Sequence, residues 1–100
     1  MSERPVYVLA NFIVEDSERY RKYEKGFFPI LNRYDGEFIA YDDNSRALEK
    51  GDLSLSGRLV LFKFPSEEKA LQWYEDPDYQ LLSGHRRAST KLQFLNLMHC

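Results

Sequence analysis

The chain has a single cysteine, and it is the last of 100 residues, Cys100. One thiol forms no internal disulfide, which excludes a disulfide-stapled scaffold and fits a reducing compartment. A chain end frays, so it is a poor place for a catalytic thiol. Neither sign of charge dominates: 14 Lys and Arg against 16 Asp and Glu give −2. The two signs interleave along the chain, which leaves no basic face for nucleic acid. No apolar run approaches the roughly 20 residues of a membrane span. The opening MSERPVYV lacks the apolar segment of a signal peptide. These absences predict a cytoplasmic protein with no nucleic-acid or membrane partner. Motifs are missing too. No serine sits in a nucleophile elbow. Gly51 and Gly57 flank a leucine-serine stretch without the lysine of a phosphate-binding loop. His85 and His99 have no HxxxH spacing and no cysteine pair, which makes a poor metal site. No cofactor is expected.

Aromatic residues are plentiful, with seven Tyr, seven Phe and one Trp. Large rings help a thin core bury area. One hundred residues make a single domain, with its core over about residues 5–98. A domain of this size often gains stability by pairing with a second copy.

The first strand is PVYVLANFIV, residues 5–14. Val6, Val8, Ala10 and Phe12 share one face, and Tyr7, Leu9, Asn11 and Ile13 the other. Such a run suits a strand covered on both sides, in which Asn11 needs a hydrogen-bond partner. Asp16 caps a helix with Glu18 in its first turn. Tyr20, Tyr23, Phe27, Ile30, Leu31 and Tyr34 form its apolar stripe. Pro29 is expected to kink or split that helix, and Gly36 to end it with positive φ. A second strand follows at 37–43, then a short one at 46–50 centred on Leu48. Leu53 and Leu55 are expected to hold the next loop partly against the surface. RLVLFKF, residues 58–64, is the strongest strand. Ser66 caps a helix with Ala70, Trp73 and Tyr74 inward, and Asp76-Pro77 starts another. That last helix carries Leu81, Leu82, His85 and Ala88 at helical spacing. KLQFLNLM, residues 91–98, closes the chain with Leu92, Phe94 and Met98 opposite Gln93, Leu95 and Leu97.

The order predicts an α+β protein, a ferredoxin-like β-α-β-β-α-β unit with an antiparallel sheet and the second α broken in two. The strands are too apolar for a face in water. A homodimer with sheets face to face would enclose a shared barrel-like core.

FPSEEKALQWYEDPDYQ followed by Arg86 resembles the DUF1330 family, of the dimeric α+β barrel superfamily. Phe64-Pro65-Ser66, Ala70, Trp73-Tyr74, Pro77-Asp78-Tyr79 and Arg86 carry the likeness, with Leu48-Glu49 and Gly51 as a weaker piece. The chain departs from the family pattern at Asp35-Gly36, at Tyr41 and at its Leu97-Met98-His99-Cys100 end. The resemblance implies a dimeric α+β barrel. The superfamily implies cofactor-free oxygenases of phenolic or polyketide-like compounds, lactone isomerases, haem-degrading enzymes, and ligand-binding or regulatory relatives.

Glu49, Arg86 and His85 are the candidate catalytic residues. A guanidinium can hold a carboxylate or an enolate, and a carboxylate or imidazole can move a proton. The plainer alternative is a structural Glu49–Arg86 salt bridge and a packed His85. Tyr20, Tyr23, Tyr74 and Tyr79 are candidate ligand-binding residues, or else core rings with a wet edge. Asn11 either bonds a loop backbone or faces a pocket. The expected activity is that of a small cofactor-free enzyme, isomerase or oxygenase-like, on a small organic acid, phenol or lactone. The alternative is a non-catalytic small-molecule-binding or interaction protein.

Overall fold

The structure, a computed structural model, describes residues 4–51 and 56–99. Four strands and three helices follow in the order β1 (Val6–Val14), α1 (Ser17–Arg33), β2 (Glu37–Asp42), β3 (Arg58–Phe64), α2 (Glu67–Glu75), α3 (Pro77–Ser89) and β4 (Thr90–His99). The strands form one antiparallel sheet in the order β2-β3-β1-β4. This is the ferredoxin-like arrangement expected, with two corrections. The sheet is open, with β2 and β4 as separate edges, so it does not close into a barrel. Four strands are too few to curl round and meet. The helical layer holds three helices, one more than the β-α-β-β-α-β order counts, because Ser66 and Asp76 each cap a helix of their own and the second α is broken in two as expected.

The register fixes which residues face the helices. Val6, Val8, Ala10 and Phe12 of β1 lie beside Phe64, Phe62, Val60 and Arg58 of β3. All four of these β1 residues are buried under the helices. Their neighbours Tyr7, Leu9 and Ile13 are only half-buried, so the outer face of the sheet is uncovered in the single chain.

Two edge irregularities matter. The β2–β3 register shifts between Phe38 and Ala40, and the β1–β4 register between Asn11 and Phe12. An extra residue in a strand reverses the alternation beyond it. Phe38 and Tyr41 therefore pair beside Phe62 and Val60, on the helix side, and Leu92 and Leu95 pair beside Phe12 and Ala10.

Helix α1 begins on Asp16, whose side chain accepts from the Arg19 N–H at 3.2 Å. It is not split at Pro29, which lies inside it. A proline inside a helix costs about 3 kcal/mol, while Tyr20, Tyr23, Phe27, Ile30 and Leu31 are all buried on the same helix. Each such side chain contributes about 1.5–3 kcal/mol, so packing wins. The helix ends with Gly36 N–H on Leu31 O at 3.0 Å and Asp35 N–H on Asn32 O at 3.2 Å. Asp35, not Gly36, takes the left-handed conformation, with φ of 59°. Gly36 is needed for a different reason: a Cβ there would run into Leu31 and Phe64.

Residues 46–50 form no strand. Leu48 is 97% exposed. One apolar side chain cannot offset the entropy of ordering the segment. Leu53 and Leu55 lie outside the described residues. No described helix is long and apolar enough to cross a membrane.

Candidate functional site

Helices α1 and α3 do not close fully on the sheet. They leave a cleft of about 210 Å³. Tyr20, Tyr23 and Phe27, spaced three and four apart on α1, form its roof. Phe12, Val60 and Leu95 form its floor, and Phe28, Phe38 and Tyr41 its outer rim. Tyr41 is there because of the β2 irregularity.

Helix α3 supplies the polar wall. Its N-cap Asp76 accepts from the N–H groups of Asp78 (2.7 Å) and Tyr79 (3.3 Å). The same carboxylate accepts from Arg33 and from the Tyr34 hydroxyl, which pins α3 to α1. The side buried by this anchoring is Tyr79, Ser83, Arg86 and Ser89. The expected stripe is rotated partly outward: Leu81 is 81% exposed and Ala88 is exposed, while Leu82 and His85 are half-buried, Leu82 against the core. The rotation follows from the Asp76 cap and from Tyr79, whose ring packs 4.2 Å from the Trp73 ring.

Arg86 is thus carried into the interior. It is 4% exposed, lines the cleft, and lies with Cζ 6.0 Å from the centre of the Tyr23 ring. Among the described residues its Nε has no hydrogen-bond partner. Among the described residues no carboxylate forms an ion pair with it. A buried charge without a partner is costly and calls for an anion.

A second guanidinium guards the mouth. Arg58 stacks over the rings of Tyr41 (4.9 Å) and Tyr20 (5.3 Å). Its Nε donates to Asp43 at 2.7 Å, and Nη1 lies 3.5 Å from Glu24. The bond to Arg58 holds the Asp43 carboxyl below the usual carboxylate range. Burial pushes the Tyr20 hydroxyl up to about 12, against the opposing pull of Arg58. Burial also raises Tyr23 well above the ordinary range, and Tyr79 as well, where Tyr23 and Arg86 partly oppose it. The Tyr23 and Tyr79 hydroxyls are 2.9 Å apart. The cleft therefore offers proton-bearing hydroxyls and one unpaired cation around an aromatic lining.

The structure brings Arg86, Tyr20, Tyr23 and Tyr79 together in this cleft. Glu49 stands apart from them, exposed on the segment after β2. No ion pair between Glu49 and Arg86 exists among the described residues. His85 is half-buried on α3 and does not line the cleft; its Nδ1 accepts from Arg19 Nε of α1 at 3.4 Å. Asn11 is fully buried beneath the loop before β3. Its Nδ2 donates to the carbonyls of Ser56 (3.0 Å) and Arg58 (3.1 Å), so it bonds loop backbone. Tyr74 lines a separate, wider cleft of about 570 Å³ between α2 and β4. No group of three or more His, Cys, Asp or Glu side chains suited to a metal gathers among the described residues.

A model of the domain of unknown function DUF1330 matches residues 5–99. The chain belongs to that family. Its fold is similar to that of a protein of unknown function from Rhodopseudomonas palustris, at 17% identity and a TM-score of 0.76 over 98% of this chain and 82% of that one. It is similar to SnoaB, a cofactor-independent oxygenase from Streptomyces nogalater, at 11% identity and a TM-score of 0.68 over 97% and 93% of the two chains. It is also similar to a dimeric ferredoxin-like protein of unknown function from Thermobifida fusca, at 11% identity and a TM-score of 0.54 over 98% and 91%. At these identities the likeness is one of fold. No curated protein matches.

Sequence reasoning passed over Arg58, Glu24 and Tyr41. Arg58 carried a usable signal: it shares parity with Val60, Phe62 and Phe64, so strand alternation puts a charge on the core face. Glu24 follows Tyr20 by four residues and Tyr23 by one, at the border of the helix stripe. For Tyr41 the sequence gives no such signal, since only the extra residue in β2 turns it inward.

Proposed function

We propose that this DUF1330 protein binds a small aromatic or carbonyl-bearing organic anion in the cleft between α1, α3 and the sheet. We propose further that it is a small cofactor-free enzyme, of isomerase or oxygenase type, acting on an organic acid, phenol or lactone. The observation that carries this reading is the buried Arg86 with no carboxylate beside it. An anionic oxygen placed there removes the penalty of the unpaired charge. Arg86 and the Tyr23–Tyr79 hydroxyls would then stabilise a phenolate or enolate as it forms. The fold shared with a cofactor-independent oxygenase supports an enzyme, by analogy of fold.

The proton lost by such a substrate needs an acceptor. The tyrosines keep their own protons, and Glu24, the one carboxylate of the described cleft lining, is tied to Arg58. That observation favours a second reading, a binding protein without turnover. One experiment separates the two. Calorimetry with 2-hydroxybenzoate and 1-naphthol should show binding to the wild type and at least tenfold weaker binding to Arg86→Met. Parallel product analysis and oxygen uptake would reveal isomerisation or oxygenation. Binding without turnover selects the second reading, and equal binding by Arg86→Met rejects both.

The same proposal includes a homodimer through the outer sheet face. Leu59, Leu61, Leu9, Phe94 and Met98 leave an apolar surface there that helices do not cover. The relative described as dimeric supports it. Sedimentation should give a dimer for the wild type and a monomer for Leu61→Lys.

A further inference from the structure

The 210 Å³ cleft is small for a metabolite. A cavity of about 150 Å³ holds a benzene-sized molecule, so this one takes a single substituted ring and little more. Functional clefts commonly run to about 300–1,000 Å³. The wider cleft of about 570 Å³ begins where the first ends: Arg86, Leu92 and Leu95 line both. From that shared wall it runs along β4 to Leu97, roofed by Leu71 and Tyr74 of α2. Leu71 and Tyr74 are substantially exposed, with their apolar surface unspent on the core. The Nε of Arg86, buried and without a partner, sits in the residue that joins the two spaces.

We infer that the second cleft is a subsite for an apolar arm of the same ligand. This rests on the binding reading above and deepens it. The ligand is an aromatic ring with an acidic oxygen, carrying an alkyl or acyl arm of several carbons. The ring lies among Tyr20, Tyr23 and Phe27, and its oxygen meets Arg86. The arm leaves past Leu92 and Leu95 and lies against Leu97 and Leu71. The continuity of the two clefts through one buried cation argues for this occupant.

The test is a series of 2-alkylbenzoates, from 2-methylbenzoate to 2-heptylbenzoate, whose arm leaves beside the carboxylate, measured by calorimetry against the wild type and Leu71→Asp. Leu71 is exposed, so this variant keeps the core intact. The expected result is an affinity gain of about fourfold per methylene in the wild type. In Leu71→Asp the gain should flatten while 2-methylbenzoate binds unchanged. Leu97→Gln should flatten it as well. If 2-methylbenzoate binds through Arg86 but chain length brings no gain, this inference fails and the binding reading stands. An equal slope in both variants also overturns it. If no 2-alkylbenzoate binds the wild type, both fall. If Leu71→Asp changes the sedimentation of the protein while the slope persists, the groove belongs to a contact with a second copy and the inference is overturned.

Discussion

The Tyr23 hydroxyl lies 2.9 Å from the Tyr79 hydroxyl, and through it α1 is joined to α3 inside the protein. Each ring is almost wholly buried, so each hydroxyl depends on the other for a partner. Replacing either tyrosine alone by phenylalanine leaves a buried orphan hydroxyl, at a cost of about 1–3 kcal/mol. The double replacement removes both polar groups together. It should cost little more than one single change, giving a coupling of about 1 kcal/mol or more. Urea unfolding of the two singles and the double measures this. Simple additivity would show that the pair is not linked.

Arg86→Met should make the protein more stable. The substitution keeps an unbranched apolar stem and removes a buried charge that no carboxylate in the described structure compensates. A gain of about 1–3 kcal/mol is expected in the absence of ligand, together with loss of anion binding. Thermal unfolding measures the first and calorimetry the second. A destabilised variant would mean that Arg86 serves the fold.

Asp76 sets an acid limit. The Tyr34 hydroxyl, then the N–H groups of Asp78 and Tyr79 and the Arg33 cation, hold its carboxyl below the usual range against the pull of burial. Its pKa is thus lower folded than unfolded. The stability it contributes is complete above the unfolded value near 3.9, and it is lost as pH falls through the folded value. Asp76→Asn keeps a capping oxygen but removes the charge that Arg33 and the Tyr34 hydroxyl bond to, so it should weaken the protein at neutral pH by about 1 kcal/mol and flatten the acid side of its stability profile. An unchanged acid limb would remove Asp76 from the account.

Tyr20 sets an alkaline one. Its pKa is raised by burial to about 12, from about 10 in an unfolded chain. The neutral hydroxyl therefore favours the fold fully below about 10, and this contribution is lost as pH climbs to the folded value. Arg58 works against burial here, so Arg58→Met should raise the Tyr20 ionisation further. Near-ultraviolet absorbance titration of the folded protein, with Tyr20→Phe as the reference, follows the change. A downward shift in Arg58→Met would contradict the assignment.

The strands β1 and β3, the caps at Asp16, Ser66 and Asp76, and the helix stripe from Tyr20 to Leu31 were legible in the sequence because each is a local or strictly periodic signal. The cleft was less so. On α3 Leu81 and Ala88 of the apolar pattern face outward and Leu82 only half meets the core, because the buried side chains are instead Tyr79, Ser83, Arg86 and Ser89. Apolar periodicity cannot find a helix whose inner face is mostly polar, and that face is where the site lies. Counting by twos placed Tyr41 opposite Phe38 and Leu92 opposite Leu95. One additional residue in each edge strand reversed both. Glu49 was paired with Arg86 on the chemistry of a carboxylate and a guanidinium, and the segment that carries Glu49 has no periodicity from which to place it.

The edge irregularities also bear on length. Ile39 and Gln93 have no counterpart in the register of the neighbouring strand. Deleting either one leaves every pair on both sides aligned, so the interior strands need not move. What such a deletion removes is the local bend and added twist of the edge, which lean Tyr41 and Leu92 toward the cleft. At these two points the number of residues, more than their identity, governs the course of the sheet's edges.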